Sequence, residues 1–184
     1  MNIEEKLKEY QSQAMRTWVE LGNNNFIHMK MGVITEIGEI IDIFKKNIAY
    51  GKSIDIINLG EEIADVQWYL SNYATMDNDE IDLSYFNEGY KILDENDVFN
   101  LLFEIVREPL EYSLNTFNLI HIAKYYNLDY AKLLDNNIAK LKVRFLEKFT
   151  EEAALNRNLE EERKTLEQSS VFKIDYNPTK IEIK

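Results

Sequence analysis

Apolar residues recur every three or four positions through most of this chain, and that spacing restricts the fold more than any other feature of the sequence. The clearest case is a predicted helix whose apolar side comprises Leu59, Ile63, Val66 and Leu70. Only six glycines and two prolines interrupt a chain of 184 residues, and both prolines come after residue 100. We therefore expect an all-α fold, and the length fits one domain over residues 1–184.

The spacing predicts a series of helices separated by polar turns. A first helix is expected over residues 3–20, a second from Phe26 to about Ile48, and a third from near Asp55 through Ala74. Gly51, in the turn AYGKS, can adopt the left-handed conformation that ends a helix.

The second half of the chain is also predicted to be mainly helical. A helical pattern resumes irregularly after the polar segment 75–82 and continues to Asn96. Asp97 is expected to cap a long helix that Pro109 kinks or splits. An amphipathic helix follows Asn127, and a charged helix falls within 155–168. Residues 171–184 alternate between apolar and polar side chains, which predicts a strand or a short extended tail.

Charge and composition exclude several kinds of partner and site. The formal charge is −12 and the pI about 4.7, so the average surface repels a phosphate backbone and nucleic acid is not expected as a partner. The absence of cysteine excludes a disulfide, a thiolate zinc site and an iron–sulfur cluster. We find neither a signal peptide nor an apolar run of about 20 residues, so a cytoplasmic protein without a membrane segment is expected.

Two pairs of carboxylates intrude on the apolar sides of the second and third helices. At about 100° per residue, Glu36 falls at the edge of the apolar stripe of the second helix, and Glu39 lies beside it. Glu62 falls at the corresponding edge of the third helix, with Asp65 beside it. An ordinary solvated face would place these acids opposite the stripe. The repeated i, i+3 layout therefore predicts a shared site.

Antiparallel packing of the two helices would bring these four acids together. Clustered carboxylates repel one another and resist burial, so a cation is needed to compensate them. Mg²⁺ prefers oxygen ligands and is the expected cofactor, and Mn²⁺ would suit the same ligands. The alternative is that all four are surface acids stabilised by neighbours such as Lys45 and Lys46. A di-iron site is disfavoured because neither His28 nor His121 has a glutamate three residues before it.

These acids stand in stretches that resemble a known family. MGVITEIGEIIDIFKK followed by GEEIADVQWYL is similar to the MazG-like, all-α nucleoside triphosphate pyrophosphohydrolases, whose signature is ExxE followed by ExxD. EYQSQAMRT, NNIAKLKVRF and FTEEAALNRNLEEERKTLE resemble further blocks of the family, especially of its phage-type members. The resemblance covers about residues 8–75 and 128–168, and the segment 76–127 is an insertion that shorter members lack.

The resemblance implies a four-helix bundle of the MazG type, with extra helices from the insertion. It implies that Glu36, Glu39, Glu62 and Asp65 are the metal ligands. It also implies Mg²⁺-dependent cleavage between the α- and β-phosphates of a nucleotide, which gives a monophosphate and pyrophosphate. Because family members are usually dimers or tetramers, a homodimer or homotetramer is expected, in a bacterial or phage-infected cell.

Further residues are candidates for catalysis and phosphate binding. Either Glu61, next to the four acids, or one of those acids would deprotonate the attacking water. Asn137, Lys140 and Arg144 follow one another on one helical face and match the family's NxxKxxxR block, which suits phosphate or base contacts. A solvated basic stripe is the alternative interpretation of these three residues.

Several more residues have both a functional and a structural interpretation. Lys46 and Lys52 would contact phosphate or lie on the surface. Trp68 and the adjacent Tyr69 would stack on a base or pack in the core. His28 would contact substrate or act as a hydrogen-bonded structural histidine.

Three functions are compatible with these residues. The first is a pyrophosphohydrolase of nucleoside triphosphates, the second a hydrolase of guanosine alarmones, and the third a non-catalytic helical binding or regulatory protein that retains the fold. The sequence has no GxxxxGK[ST] loop, no GxSxG and no HExxH, which favours a mechanism built on carboxylates alone. The preferred base stays open, because such a metal site recognises phosphates.

Overall fold

The computed structural model describes residues 2–84, 86, 89–145, 150–156 and 158–168. Within those residues all regular structure is helical, which confirms the all-α prediction. The α-helices are α1 Ile3–Ala14, α2 Asn25–Tyr50, α3 Ile56–Met76, α4 Glu95–Arg107, α5 Tyr112–Tyr125, α6 Tyr130–Phe145, α7 Glu151–Leu155 and α8 Leu159–Glu167. The strand or tail predicted over 171–184 lies outside the described residues. None of the described helices is long and apolar enough to cross a bilayer.

A short, capped connection makes α2 and α3 an antiparallel pair. Gly51 ends α2 with a φ of 63°, the left-handed conformation predicted for it. The Asp55 carboxylate then accepts hydrogen bonds from the N–H groups of Ile57 and Asn58, at 3.1 and 3.0 Å, and so caps α3. Along the pair, Phe26 contacts Tyr73 near one end and the carboxyl groups of Glu36 and Glu62 meet further along. The residue numbers of the contacting pairs therefore rise along α2 and fall along α3, as expected for antiparallel helices.

The first helix is shorter than predicted. α1 ends at Ala14, and a 3₁₀ turn over Met15–Thr17 leads into an extended Trp18 with φ −66° and ψ 143°. The indole N–H of Trp68 donates to the Thr17 hydroxyl oxygen at 3.0 Å, so the chain is fixed to α3 at the point where the helix stops. Val19, the apolar residue after Thr17 that suggested a continuing helix, faces a cavity instead.

The irregular helix predicted between 83 and 96 is wrong for the described residues, which hold no helix between Met76 and Glu95. Asp94, rather than Asp97, is the N-cap of α4, because its carboxylate accepts the N–H groups of Asn96 and Asp97. The Asp97 carboxylate instead accepts the N–H of Leu93 at 2.8 Å. Both acids stabilise the same helix start, which is why the sequence pattern misplaced it by one turn.

The predicted break at Pro109 is confirmed, since α4 ends at Arg107 and α5 begins at Tyr112. The charged helix expected within 155–168 is α8 alone. Asn158 starts it by accepting the N–H of Glu161 at 3.1 Å, and the short α7 precedes it.

The helices α4 and α5 belong to the segment 76–127, which the resemblance implies is an insertion, and both are packed into the same core as the other helices. α4 packs on α2, α5 packs on α3, and α1 and α6 pack on α3 and on each other. A buried polar network joins three of these helices through Gln67 of α3. Its side-chain oxygen accepts hydrogen bonds from the hydroxyls of Thr116 on α5 and Tyr130 on α6, at 2.9 and 2.5 Å, and its amide donates to Ser71 at 3.0 Å. The insertion is thereby fixed to the helix that carries the predicted ExxD motif.

Candidate metal centre and adjoining cavity

Three of the four predicted carboxylates meet between α2 and α3. One oxygen atom each from Glu36, Glu62 and Asp65 lies within 4.8 Å of the other two, and all three side chains are half-buried. We call these residues the three-carboxylate cluster. The antiparallel packing of α2 and α3 produces it, because α2 turns Glu36 to the shared edge and α3 turns both Glu62 and Asp65 to it.

The fourth carboxylate, Glu39, stays outside the cluster. It is exposed, and it lines the cavity into which the cluster opens. Three residues along a helix turn the side chain by about 300°, so Glu39 is rotated from Glu36 towards solvent. The four predicted ligands are therefore three converging acids and one neighbour.

The cluster has too little positive charge for three ionised acids. Burial, together with the charge of Asp65, raises the pKa of Glu36 to about 7, although a hydrogen bond from the Glu62 carboxyl opposes part of this rise. Burial, followed by the charges of Asp65 and Glu36, raises the pKa of Glu62 to about 9. Protons thus supply part of the compensation at neutral pH, which is the position a divalent cation would take.

Two residues of α6 hold Asp65 from behind. The Asn137 amide donates to Oδ1 of Asp65 at 2.5 Å, and Nζ of Lys140 donates to Oδ2 at 2.5 Å and Oδ1 at 2.8 Å. Asn137 is itself held by the Tyr10 hydroxyl, which donates to Oδ1 of Asn137 at 2.7 Å. Asn137 and Lys140 are 2% and 1% exposed, so they reach the site from inside the protein rather than from its mouth.

Lys140 is the buried counter-ion of this region. Burial acts to lower its pKa, but the charges of Asp65 and Glu61 outweigh burial and raise that pKa above its ordinary value. Nζ also lies 3.1 Å from Oε1 of Glu61, the residue predicted as a possible base. Glu61 lines the cavity beside the cluster, with its carboxylate fixed by this contact.

A cavity of about 640 Å³ adjoins the cluster, which is within the range of small-molecule sites. One part of its lining is acidic and consists of Glu36, Glu39, Glu61, Glu62 and Asp65. Another part is apolar and aromatic and consists of Val19, Leu21, Trp68, Tyr69, Leu141 and Phe145. A ligand with a cationic or metal-bound end and a flat or apolar end would match both parts.

The aromatic candidates and His28 also lie in this lining. The rings of Trp68 and Tyr69 meet edge to face at 4.9 Å, and His28 meets the Tyr69 ring at 5.8 Å. Burial, together with the charges of Glu36 and Asp65, raises the pKa of Tyr69 to about 12, so its hydroxyl keeps its proton. Nδ1 of His28 is buried and makes no hydrogen bond with any described residue. These residues are in position to touch a ligand.

The predicted cations fall into three environments. Arg144 lines the cavity, whereas Lys140 lies behind Asp65 as described. Lys46 is paired with Asp42 on the exposed side of α2. Lys52 is exposed in the α2–α3 connection, where its carbonyl accepts the Asn47 amide at 2.6 Å. Neither Lys46 nor Lys52 contributes to the cavity lining.

Sequence reasoning did not single out several residues that act through non-local contacts, although some of them lie in the stretches that resemble family blocks. Thr17 and Phe145 line the cavity, and Tyr10 fixes Asn137, yet each looks like an ordinary helix or turn residue in the sequence. Glu162 of α8 binds Arg144 through a two-point ion pair. The resemblance of FTEEAALNRNLEEERKTLE to a family block was the one hint that this segment belongs to the site.

No protein-family model, curated protein or solved structure matches this chain.

The residues present suit a divalent metal ion. The cluster offers three carboxylates and no nitrogen or sulfur ligand, a donor set that fits Mg²⁺ or Mn²⁺ better than zinc or copper. The raised pKa values of Glu36 and Glu62 mark carboxylates that lack a full complement of positive charge. A metal held by Glu36, Glu62 and Asp65 would satisfy both conditions.

Proposed function

We propose that this chain is a Mg²⁺-dependent nucleotide pyrophosphohydrolase with a MazG-like bundle, acting in the cytoplasm. The proposed reaction cleaves between the α- and β-phosphates of a nucleoside triphosphate or related nucleotide. The observation that carries the proposal is the convergence of Glu36, Glu62 and Asp65 beside a cavity of about 640 Å³. The resemblance of the same residues to the ExxE and ExxD signature agrees with it.

Each part of the lining has a proposed role in binding. Glu36, Glu62 and Asp65 would hold the metal, with Glu39 close enough along the wall to assist. When bound, Mg²⁺ would neutralise phosphate charge and promote ionisation of water. Arg144 would contact phosphate oxygens, and Trp68, Tyr69 and His28 would contact the base or sugar. Stacking and apolar contacts of this kind suit any base, so the preferred base of the nucleotide stays open.

Glu61 is the proposed general base. Its Oε1 accepts a hydrogen bond from Lys140 at 3.1 Å, which fixes the carboxylate. Oε2 would accept the proton of the attacking water. Asn137 and Lys140 would act by holding Asp65 and Glu61 in place rather than by touching the substrate.

The test is turnover by the purified chain with Mg²⁺ across canonical, modified and alarmone nucleotides. Release of pyrophosphate, with products identified by mass spectrometry, is expected for at least one nucleoside triphosphate. Asp65→Asn should lower this release by about 100-fold or more while circular dichroism keeps its helical signal. If the wild-type chain turns over none of the panel, the enzymatic proposal is refuted. Binding of a non-hydrolysable nucleotide without turnover would then favour a binding protein.

A further inference from the structure

Among the carboxylates whose burial the structure describes, the most deeply buried one belongs to α8, outside the three-carboxylate cluster. Glu162 is 2% exposed, and both of its carboxylate oxygens accept hydrogen bonds from the guanidinium of Arg144. Nε of Arg144 donates to Oε1 at 2.9 Å, and Nη2 donates to Oε2. A carboxylate buried this far is costly unless it is paired, and this two-point geometry is the strong form of such a pair.

Without the contact to Glu162, the Arg144 side chain would be attracted to the carboxylates that line the cavity. It lines the same cavity as Glu61 and Glu62, and its charge lowers the pKa of both Tyr69 and Lys140. The nearby acids outnumber the one buried lysine that compensates them. A guanidinium left to itself would be attracted to the ligands that a metal needs.

We propose that Glu162 is a positioning residue that holds Arg144 as the anion-binding side of the cavity and keeps it off the three-carboxylate cluster. Arg144 has five N–H donors in a rigid fork, and Glu162 engages Nε and Nη2. The remaining donors bind oxyanions of a diphosphate group. That the diphosphate belongs to a nucleotide rests on the proposed function. The anion site itself rests on the Arg144–Glu162 contact.

α8 packs on α6, which carries Arg144, and on α3. Arg163, the residue after Glu162, lies 3.2 Å from the carboxylate of Asp55, the N-cap of α3. Leu166, one turn further along α8, is buried in the protein. α8 is therefore fixed to the start of the helix that carries Glu62 and Asp65. The position of Arg144 and that of the cluster are set by the same packing.

The experiment measures binding of inorganic pyrophosphate by calorimetry in buffer containing Mg²⁺. Four chains are compared: the wild type, Glu162→Gln, Arg144→Ala and the double variant. Glu160→Gln is the matched control, because Glu160 is an exposed glutamate on the same helix. Thermal unfolding of each chain is recorded alongside. Glu162→Gln keeps the size of the side chain and removes its charge, so the chain should remain folded.

Glu162→Gln is expected to weaken pyrophosphate binding about tenfold, the size of one lost charge-assisted contact. Arg144→Ala should weaken it at least as much, and the double variant should be no weaker than Arg144→Ala. Glu160→Gln should match the wild type. In a catalytic assay Glu162→Gln should raise KM with little change in kcat.

Two results would overturn the inference. One is a wild-type chain that binds no pyrophosphate. The other is a Glu162→Gln effect that persists undiminished when Arg144 is already alanine, since a purely structural role of Glu162 in anchoring α8 would be independent of Arg144. If only the proposed function is wrong, pyrophosphate binding will still depend on Arg144 and Glu162 as stated, but the wild type will hydrolyse no nucleotide.

Discussion

The ring of Tyr69 occupies the space that a side chain at Gly32 would need. A Cβ built on Gly32 would lie 2.1 Å from Cε1 of Tyr69, far inside van der Waals contact. This close approach brings α2 and α3 together one turn away from Glu36 and sets the position of a ring in the cavity lining. Glycine at position 32 is therefore a requirement of the site as well as of the helix pair.

Gly32→Ala is expected to lower the free energy of unfolding by about 1–3 kcal/mol, because the methyl group overpacks the α2–α3 contact. Gly38→Ala is the control, since a Cβ there meets nothing within 4 Å and alanine favours the helix by roughly 0.5–1 kcal/mol. Urea unfolding of both variants gives the comparison. Equal stability of the two variants would mean that Tyr69 does not press on Gly32.

The carboxylate variants should lose activity in a graded order. Glu62→Gln and Asp65→Asn remove members of the three-carboxylate cluster, and we expect each to lower kcat/KM by about 100-fold or more. Glu39→Gln should cost about tenfold or less, because Glu39 is exposed and lies outside the cluster. Mg²⁺ titrations monitored by activity give the measurement. If Glu39→Gln lowered kcat/KM as much as Asp65→Asn, Glu39 would have to be counted as a metal ligand, which would contradict its place outside the three-carboxylate cluster.

The metal-free protein should lose stability as pH rises, through Glu62. Its folded pKa of about 9 lies above the ordinary value of 4.5, so ionisation disfavours the folded state. The groups that face it are Glu36 on α2, Glu61 and Asp65 on α3, and Lys140 on α6.

Glu62→Gln and the wild type should have similar melting temperatures near pH 4.5, and the variant should become the more stable as pH rises through about 9. Thermal unfolding in EDTA at several pH values measures this difference. Saturating Mg²⁺ should reverse it by stabilising only the wild type. A difference in melting temperature that stays constant with pH would show that Glu62 does not titrate in this range.

The polar network at Gln67 should hold the insertion in place. Gln67→Ala removes the acceptor of the Thr116 and Tyr130 hydroxyls in a buried region, and we expect a loss of about 1–3 kcal/mol for each hydroxyl left without a partner. Urea unfolding is the measurement, with the exposed Gln168→Ala as the control. A change no larger than that of the control would mean that the insertion is held by apolar packing alone.

The expected homodimer or homotetramer has a candidate interface on the outer face of α2. Exposed apolar side chains follow each other there at helical spacing at Ile27, Met31 and Ile34, and Ile48 is exposed about four turns further along the helix. Lys30, Lys45 and Lys46 balance the three acids of α2 in a chain whose net charge is −12, so the net charge of this helix does not oppose the approach of a second copy. An apolar groove of about 260 Å³ between α2 and α4 adjoins it. We expect a second copy of this chain to cover the stripe.

Met31→Glu combined with Ile34→Glu should convert such an oligomer into a monomer, because both side chains would place charge in the interface. Leu93→Glu is the control, since Leu93 is 82% exposed and lies outside the stripe. Light scattering after size-exclusion chromatography measures the mass. A monomeric wild type, or an oligomer that survives the double substitution, would exclude this interface.

Local sequence signals predicted the elements well where one residue decides a boundary. Gly51 ended α2, Asp55 capped α3 and Pro109 separated α4 from α5, because each acts through its own backbone or an adjacent one. The prediction failed at Trp18, because the preceding Thr17 accepts a hydrogen bond from Trp68 on α3. It also failed near Asp94, where two acids compete for one helix start. Non-local contacts and competing caps are invisible to a periodic pattern.

The amino-acid sequence by itself determined an all-α chain and the phase of its acids, because a helix fixes side-chain direction over a few residues. It placed Glu36 and Glu62 at the edges of two apolar stripes, with Glu39 and Asp65 beside them. Only the tertiary structure decided that Glu36, Glu62 and Asp65 meet while Glu39 stays outside. It also decided that Lys140 binds Asp65 from inside the protein and that Arg144 pairs with Glu162. Those relations join residues far apart in the chain, and they follow from how whole helices pack against one another.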